Sequence, residues 1–137
     1  MLKFPKVEFD RFLANAKKNA PDEACALLGG IVNGQDAEIK RVFLLTNVDH
    51  SPEHFSMDPA EQFAVIKKIR QKKWTLLGNL HSHPASPSRP SEEDKRLAFD
   101  PSLRYLILSL MKEEPVVKCF HIHGTEVEEE SITLREE

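Results

Sequence analysis

Cysteine is scarce. Cys25 and Cys119 are the only two in 137 residues, far apart and in no CxxC pair. That argues against a disulfide framework and suits a reduced interior. Long apolar runs are also missing: none approaches the roughly 18 residues of a membrane helix. The opening MLKFPKVEFDRFL breaks its apolar residues with Lys, Glu and Asp, so it does not read as a signal peptide. No single sign of charge dominates. A net charge of -3 provides no general drive toward nucleic acid or an anionic membrane. The expectation is a cytoplasmic protein with neither nucleic acid nor membrane as partner. Nothing in the sequence sets its oligomeric state.

What is present describes one globular domain, 1–137, with 40% hydrophobic and 30% charged residues. Phe9, Phe12, Leu13 and Ala16 form a helical stripe that Asn19 and Pro21 should end. Ala24 to Val32 and Ile39 to Thr46 read as strands, with Asn33-Gly34 as a hairpin turn between them. After a loop from Asn47 to Met57, Asp58-Pro59-Ala60-Glu61 is a helix start. Phe63, Ile66 and Ile69 are expected to be that helix's buried side. Its basic end, from Lys67 to Lys73, suits the helix dipole better than a binding patch.

Trp74 to His81 predicts a third strand, followed by a stiff proline-rich loop from Pro84 to Pro90 and a short helix over Ser91 to Phe99. Three more strands are expected at Leu103 to Leu110, Val116 to Ile122 and Val127 to Leu134, with Gly124 at a turn. Helices alternating with strands, then strands in succession, predict an α/β fold with a mixed β-sheet flanked by helices.

The chemically informative stretch is His81-Ser82-His83-Pro84, six residues, then Ser91-Glu92-Glu93-Asp94. Residues two apart on a strand share a face and lie ~6.6 Å apart along it. Two imidazoles so placed can converge on one ion, and Asp94 can join them if the loop folds back. Zinc takes such nitrogen and carboxylate ligands. A plainer reading exists for each half. The histidines can be surface residues, and Ser91-x-x-Asp94 can be a capping box alone.

Taken together, these residues resemble the JAMM, or MPN-plus, metallopeptidase family. Its signature is an upstream Glu, H-[S/T]-H-P, six residues, then S-x-x-D. Pro21 to Leu28 resembles the segment around that Glu. Asn47, Ser51-Pro52, Phe55 and Asp58-Pro59 resemble the loop of small stand-alone bacterial members. Ala26 departs from their usual Gly, with an expected effect on packing. The resemblance implies an MPN, cytidine-deaminase-like fold over nearly the whole chain. It implies one zinc ion per chain on His81, His83 and Asp94, with a fourth position for water. Glu23 would be the general base and Ser91 would help stabilise the oxyanion. The implied substrate is a ubiquitin-like sulfur carrier protein cut at its C-terminal tail, by peptide or isopeptide hydrolysis, with cysteine released by some members.

Other readings compete. A noncatalytic zinc-bound scaffold that binds ubiquitin-like partners is the main rival, since relatives without the ligands serve as scaffolds. A zinc deaminase would need H-x-E and P-C-x-x-C, and neither occurs. His121 and His123 form a second HxH without a suitably placed acid and read as strand-edge residues. Cys25 shares a strand face with Glu23, which raises a cysteine-peptidase reading, although a small buried Cys is commoner. His50 and His54 sit in the long loop and border a possible groove.

Overall fold

The computed structural model describes residues 1–136; Glu137, the last residue of the expected domain, lies outside them. Its elements are β1 (Leu2–Pro5), α1 (Lys6–Asn19), β2 (Cys25–Asn33), β3 (Asp36–Leu45), α2 (Pro59–Gln71), β4 (Thr75–His83), α3 (Glu92–Arg96), β5 (Arg104–Ser109), β6 (Val116–His123), β7 (Glu126–Glu130) and β8 (Ile132–Arg135). The strands form one mixed eight-stranded sheet in the order β7-β6-β5-β4-β2-β3-β1-β8.

The expected strand Val127 to Leu134 is in fact two strands. β7 pairs antiparallel with β6 at one margin, while β8 pairs parallel with β1 at the other. Only Ser131 separates them, and its carbonyl accepts from Leu2 N at 2.9 Å. Margins joined by one residue require the sheet to roll up. The short β1, absent from the sequence reading, supplies the partner that draws β8 away. Gly34 and Gly124 take φ of 67° and 63° in the two expected hairpin turns, a region that favours glycine.

Alternation along the strands separates two faces. The inner face packs Leu28, Ile39, Leu80, Leu106 and Leu108 against Phe12 and Ala16 of α1. Ala26 belongs to this core and is fully buried, so the departure from Gly concerns packing there. On the outer face, Cys25, Leu27 and Leu45 meet Val65 and Ile69 of α2. The expected buried side of α2 needs correcting. Phe63 is 72% exposed, and Ile66 is half-buried. Val65 and Ile69, one turn apart, set the buried stripe, and Phe63 falls off it. Among the described residues, no helix is long and apolar enough to cross a membrane.

A polar cluster secures the rolled margin. Arg104 Nε of β5 donates to Glu130 Oε1 at 2.8 Å, and His121 Nε2 lies 2.6 Å from the same oxygen. This gives His121 a structural partner, while His123 is exposed at the end of β6. Burial pushes the Glu130 carboxyl up, but hydrogen bonds from Arg104 and His121 prevail and bring its pKa down to about 2. A folded-state pKa below the ordinary 4.5 stabilises the fold at neutral pH, and that contribution is lost as pH falls from about 4.5 toward about 2. Glu130→Gln should therefore lower stability at pH 7, and its gap to wild type should close by about pH 2. Urea unfolding across that range tests this; a gap independent of pH would contradict it.

Candidate metal centre

The site begins with an irregularity in β4. Leu28 of β2 pairs with Gly78, but the next residue, Gly29, pairs with Leu76, so Leu77 is an extra residue on β4. The bulge resets the alternation. Leu77 and Leu80 both face the inner core, and Asn79, His81 and His83 therefore face outward. Parallel pairing with β5 sets Asn79 beside Tyr105, His81 beside Ile107 and His83 beside Ser109.

Beyond His83 the chain reverses through its proline-rich loop. Ser109 Oγ donates to the Ser86 carbonyl, Ser88 Oγ to the Val116 carbonyl, and Leu110 N to the His83 carbonyl. These bonds fix the return path to α3, which is shorter than the expected Ser91 to Phe99. Ser91 caps it: Asp94 N donates to Ser91 Oγ at 3.0 Å and Ser91 N donates to Asp94 Oδ2 at 2.9 Å. The capping reading and the convergence reading both describe this structure. The same Oδ2 that closes the box lies 3.2 Å from His83 Nε2 and 3.4 Å from His81 Nε2.

The two Nε2 atoms are themselves 3.2 Å apart. Ligands held ~2.0–2.1 Å from a tetrahedral zinc ion lie about 3.3–3.4 Å from one another, so the triangle already has the right size. The electronics agree. A carbonyl can only accept, so His83 Nδ1, 2.9 Å from the Pro87 carbonyl, carries a hydrogen, and in the neutral ring it is Nε2 that offers its lone pair to a cation. His81 stacks on Phe55 at 4.6 Å between ring centroids, which fixes its plane. Burial lowers the pKa of His81 and keeps it neutral. Burial also opposes charge on His83, but Asp94 and the Pro87 carbonyl outweigh it and raise its pKa. Burial works to raise the Asp94 pKa, yet hydrogen bonds with both histidines hold it well below the usual carboxylate range. Two nitrogens and a carboxylate oxygen, crowded and shielded from water, suit a divalent cation such as zinc.

Glu23 lies just before β2 on the same outer face. It is 3% exposed, and its Oε1 has no hydrogen-bond partner. Burial drives its pKa up to about 8; His83 opposes this and Asp94 adds to it. A buried carboxyl without a donor fits beside a cation and is costly elsewhere. Three backbone contacts hold it. Glu23 N donates to the Ser51 carbonyl at 2.8 Å, Asn47 Nδ2 donates to the Glu23 carbonyl at 3.0 Å, and Ala24 N donates to Ser82 Oγ at 2.8 Å. Asn47 also accepts from Asp49 N and Ser56 N and donates to the His54 carbonyl, so one side chain organises the loop. The sequence reading gave neither Asn47 nor Ser82 this role. The available signal was their place inside the two matched segments, as an amide at the start of a long loop and a serine between histidines.

Cys25 is fully buried, and burial first, then Glu61 and Glu23, pushes its pKa to about 12. It stays a thiol, which removes the basis of a cysteine nucleophile. His54 Nδ1 pairs with Glu93 Oε2 at 3.3 Å and ties the loop to α3. His50 is exposed, with φ of 47°. The structure thus brings His81, His83 and Asp94 into one cluster, puts Ser91 at its rim and Glu23 on its face, and keeps His121 and His123 out of it.

Asn47→Ala would leave buried backbone acceptors without partners, at about 1–3 kcal/mol. Urea unfolding of the metal-free protein should show a loss of that order. An unchanged midpoint would mean that the loop holds Glu23 by other contacts.

Comparison with known proteins fits this geometry. Residues 5–126 match the family of prokaryotic homologs of the JAB domain. The chain is 33% identical over 97 residues to the CysO-cysteine peptidase of Mycobacterium tuberculosis, an alignment covering 71% of this chain and 65% of that protein. It therefore spans just under two thirds of the mycobacterial relative's length. It is 30% identical over 105 residues to the desampylase of Haloferax volcanii, covering 73% of this chain and 74% of that one. Among solved structures, protein DSY2949 from Desulfitobacterium hafniense superposes with a TM-score of 0.92 at 54% identity, covering all of this chain and 94% of that one. A family match over most of the chain, around the motif that builds the cluster, places this protein in the prokaryotic JAB family, of the JAMM type.

Proposed function

We propose that this protein is a zinc-dependent peptidase that hydrolyses a peptide or isopeptide bond at the C-terminal tail of a ubiquitin-like sulfur carrier. The observation carrying this reading is the ligand triangle of His81, His83 and Asp94 on one face with a buried, unpartnered Glu23 carboxyl. A noncatalytic scaffold has no need of that carboxyl. The names of two relatives, CysO-cysteine peptidase and desampylase, support the carrier as substrate, as does the likeness to small stand-alone family members. The free, buried Cys25 and Cys119 suit a reducing cytoplasm.

One zinc ion per chain on this triangle would supply Lewis acidity, bringing the pKa of its water down to ~7. The protein's own groups do the rest. Glu23 accepts a proton from the attacking water and returns it to the leaving amine. Its dry setting favours the proton-carrying form, and positive charge at the triangle favours the base, so the carboxyl can work in both directions. Ser91 Oγ accepts from Asp94 N, which leaves its own O–H free to donate to a developing oxyanion. His83, oriented by the Pro87 carbonyl, and His81, held flat by Phe55, keep the triangle rigid. The tail lies extended along the rim built by the 47–57 loop, which can pair with it as an added strand.

His83→Ala and Asp94→Ala should each abolish the single zinc equivalent measured by mass spectrometry or atomic absorption. Unchanged stoichiometry in both would remove the ligand assignment. Glu23→Gln keeps shape and removes the base, so it should retain zinc and lose about 10²-fold or more in turnover; near-normal hydrolysis would assign the base elsewhere. A carrier extended beyond Gly-Gly should be cleaved just after that pair, far better than its isolated tail peptide, because the carrier's folded body supplies affinity. Equal efficiency on both would turn the reading toward a general small-peptide hydrolase.

A further inference from the structure

The helix dipole accounts for Lys68 and Arg70, which lie in the last turn of α2. It does not account for Lys40 and Arg41, which belong to β3 yet line the same open groove as Lys68 and Lys72. A bulge brings them there. Gly29 of β2 pairs with Arg41, but the next residue, Gly30, pairs with Ile39, so Lys40 is an extra residue on β3. Ile39 and Val42 both belong to the inner core, and the two cations between them are left to the outer side. The opposite wall is fixed by the way α2 ends. Lys73 N donates to the Arg70 carbonyl at 2.9 Å and Trp74 N to the Ile69 carbonyl at 3.0 Å, the paired bonds of a tight helix stop. This turn holds Lys72 Nζ 5.5 Å from the centroid of the Trp74 ring.

Four cations thus face one groove of about 800 Å³, from a strand and a helix end that meet only in the folded chain. Lys40 has an exposed partner in Glu38 at 3.4 Å; among the described residues, Arg41, Lys68 and Lys72 have no ion pair. Like charges held together repel one another, so in a chain of net charge -3 this grouping calls for an anionic counterpart. Single-stranded nucleic acid would need an open aromatic face for stacking. Trp74 and Phe43 pack instead against the outer core, and Lys72 lies over the Trp74 ring. A folded protein presenting carboxylates fits the groove better. Position adds to chemistry, because groove and ligand triangle share the outer side of the sheet. Arg41 pairs with Gly29 and His81 with Cys25, and those β2 residues are ~13 Å apart. A domain of ~100 residues has a radius of gyration of ~13 Å, so one such body on the groove also reaches the catalytic rim. We infer that this groove docks an acidic face of the substrate carrier's folded body. The inference rests on the peptidase reading, and it assigns the body's share of affinity to Lys40, Arg41, Lys68 and Lys72.

The test compares an extended ubiquitin-like sulfur carrier bearing an acidic face with its isolated tail peptide. In zinc-loaded Arg41→Glu/Lys72→Glu, KM for the intact carrier should rise by about 10-fold or more with kcat unchanged. Cleavage of the tail peptide should match wild type. Raising salt from about 50 to about 300 mM should lower wild-type kcat/KM for the carrier and leave the double variant nearly flat. A carrier with Lys in place of carboxylates on that face should be cut better by the double variant than by wild type. Without turnover, calorimetric titration of zinc-loaded Glu23→Gln should show carrier binding that a short polyglutamate peptide displaces and a single-stranded oligonucleotide does not. The same KM in wild type and double variant would overturn the docking groove and leave the peptidase reading standing. Displacement by the oligonucleotide alone would assign the groove to nucleic acid and overturn it too. Cleavage of neither carrier nor tail by wild type would overturn the peptidase reading, and the inference with it. If the double variant does not fold, Arg41→Gln and Lys72→Gln decide the matter, each raising KM for the carrier and not for the tail.

Discussion

Strand β4 hydrogen-bonds to β2 on one side and β5 on the other, and those two pairings place both histidines of the triangle and the Glu23 carboxyl beside them. The antiparallel side brings Cys25 beside His81, which delivers Glu23, two residues earlier, to the same outer face. The parallel side fixes Tyr105, Ile107 and Ser109 as floor and anchor. Gly78 is where the second pairing is tightest. A Cβ there would fall on the Arg104 backbone carbonyl, so only glycine lets the strands close at that point. The bulge one residue earlier then decides the outcome for function. If Leu77 were kept but paired regularly instead of bulged, alternation from the outward Leu76 would turn both histidines into the inner core with α1.

Once the histidines face outward, their environment must be dry enough to matter and polar enough to survive. The 47–57 loop and α3 provide that balance from opposite sides. Asn47 commits all its side-chain hydrogen-bonding capacity to backbone, so the loop is ordered without drawing on any atom of the ligand triangle. Phe55 carries that order onto the His81 ring, and the His54–Glu93 pair links the loop to α3. That pair is half exposed and contributes little stability by itself; its effect is geometric, keeping the two rims at a fixed separation. Ser91 and Asp94 show a similar economy. A capping box needs an acceptor at the helix start, and here the accepting carboxylate oxygen is the one facing the histidines.

Much of this was legible in the sequence because it depends on short spacings. HxH on a strand, a proline-stiffened return and S-x-x-D each have local geometry that survives folding, and together they specify the cluster. The helix start at Asp58 and the turns at Gly34 and Gly124 were legible for the same reason. What escaped depends on contacts distant along the chain. Val127 to Leu134 has the composition of one strand; only the rolling of the sheet, with β1 waiting at the far margin, divides it at Ser131. Phe63 looked buried because periodicity fixes a stripe but not its rotation, which Val65 and Ile69 set against β2 and β4. Asn47 and Ser82 were missed as positioning groups because their partners, Glu23 and Ala24, are far from them in sequence.

The distribution of unsatisfied polar atoms ties fold to function. A folded chain ordinarily pairs its buried polar groups, since each orphan weakens the native state. Among the described residues, the three buried side-chain atoms without partners lie on β4 or just before β2, at or beside the ligand triangle. The inner core against α1, by contrast, is apolar and closed, and the Glu130 cluster at the rolled margin pairs with Arg104 and His121. The strain of desolvation is therefore confined to one region, and the rest of the structure is built to tolerate it. A site that leaves a carboxyl, an imidazole nitrogen and an amide oxygen unpaired is a poor solution for stability alone. It becomes coherent when a cation sits on the triangle beside that carboxyl.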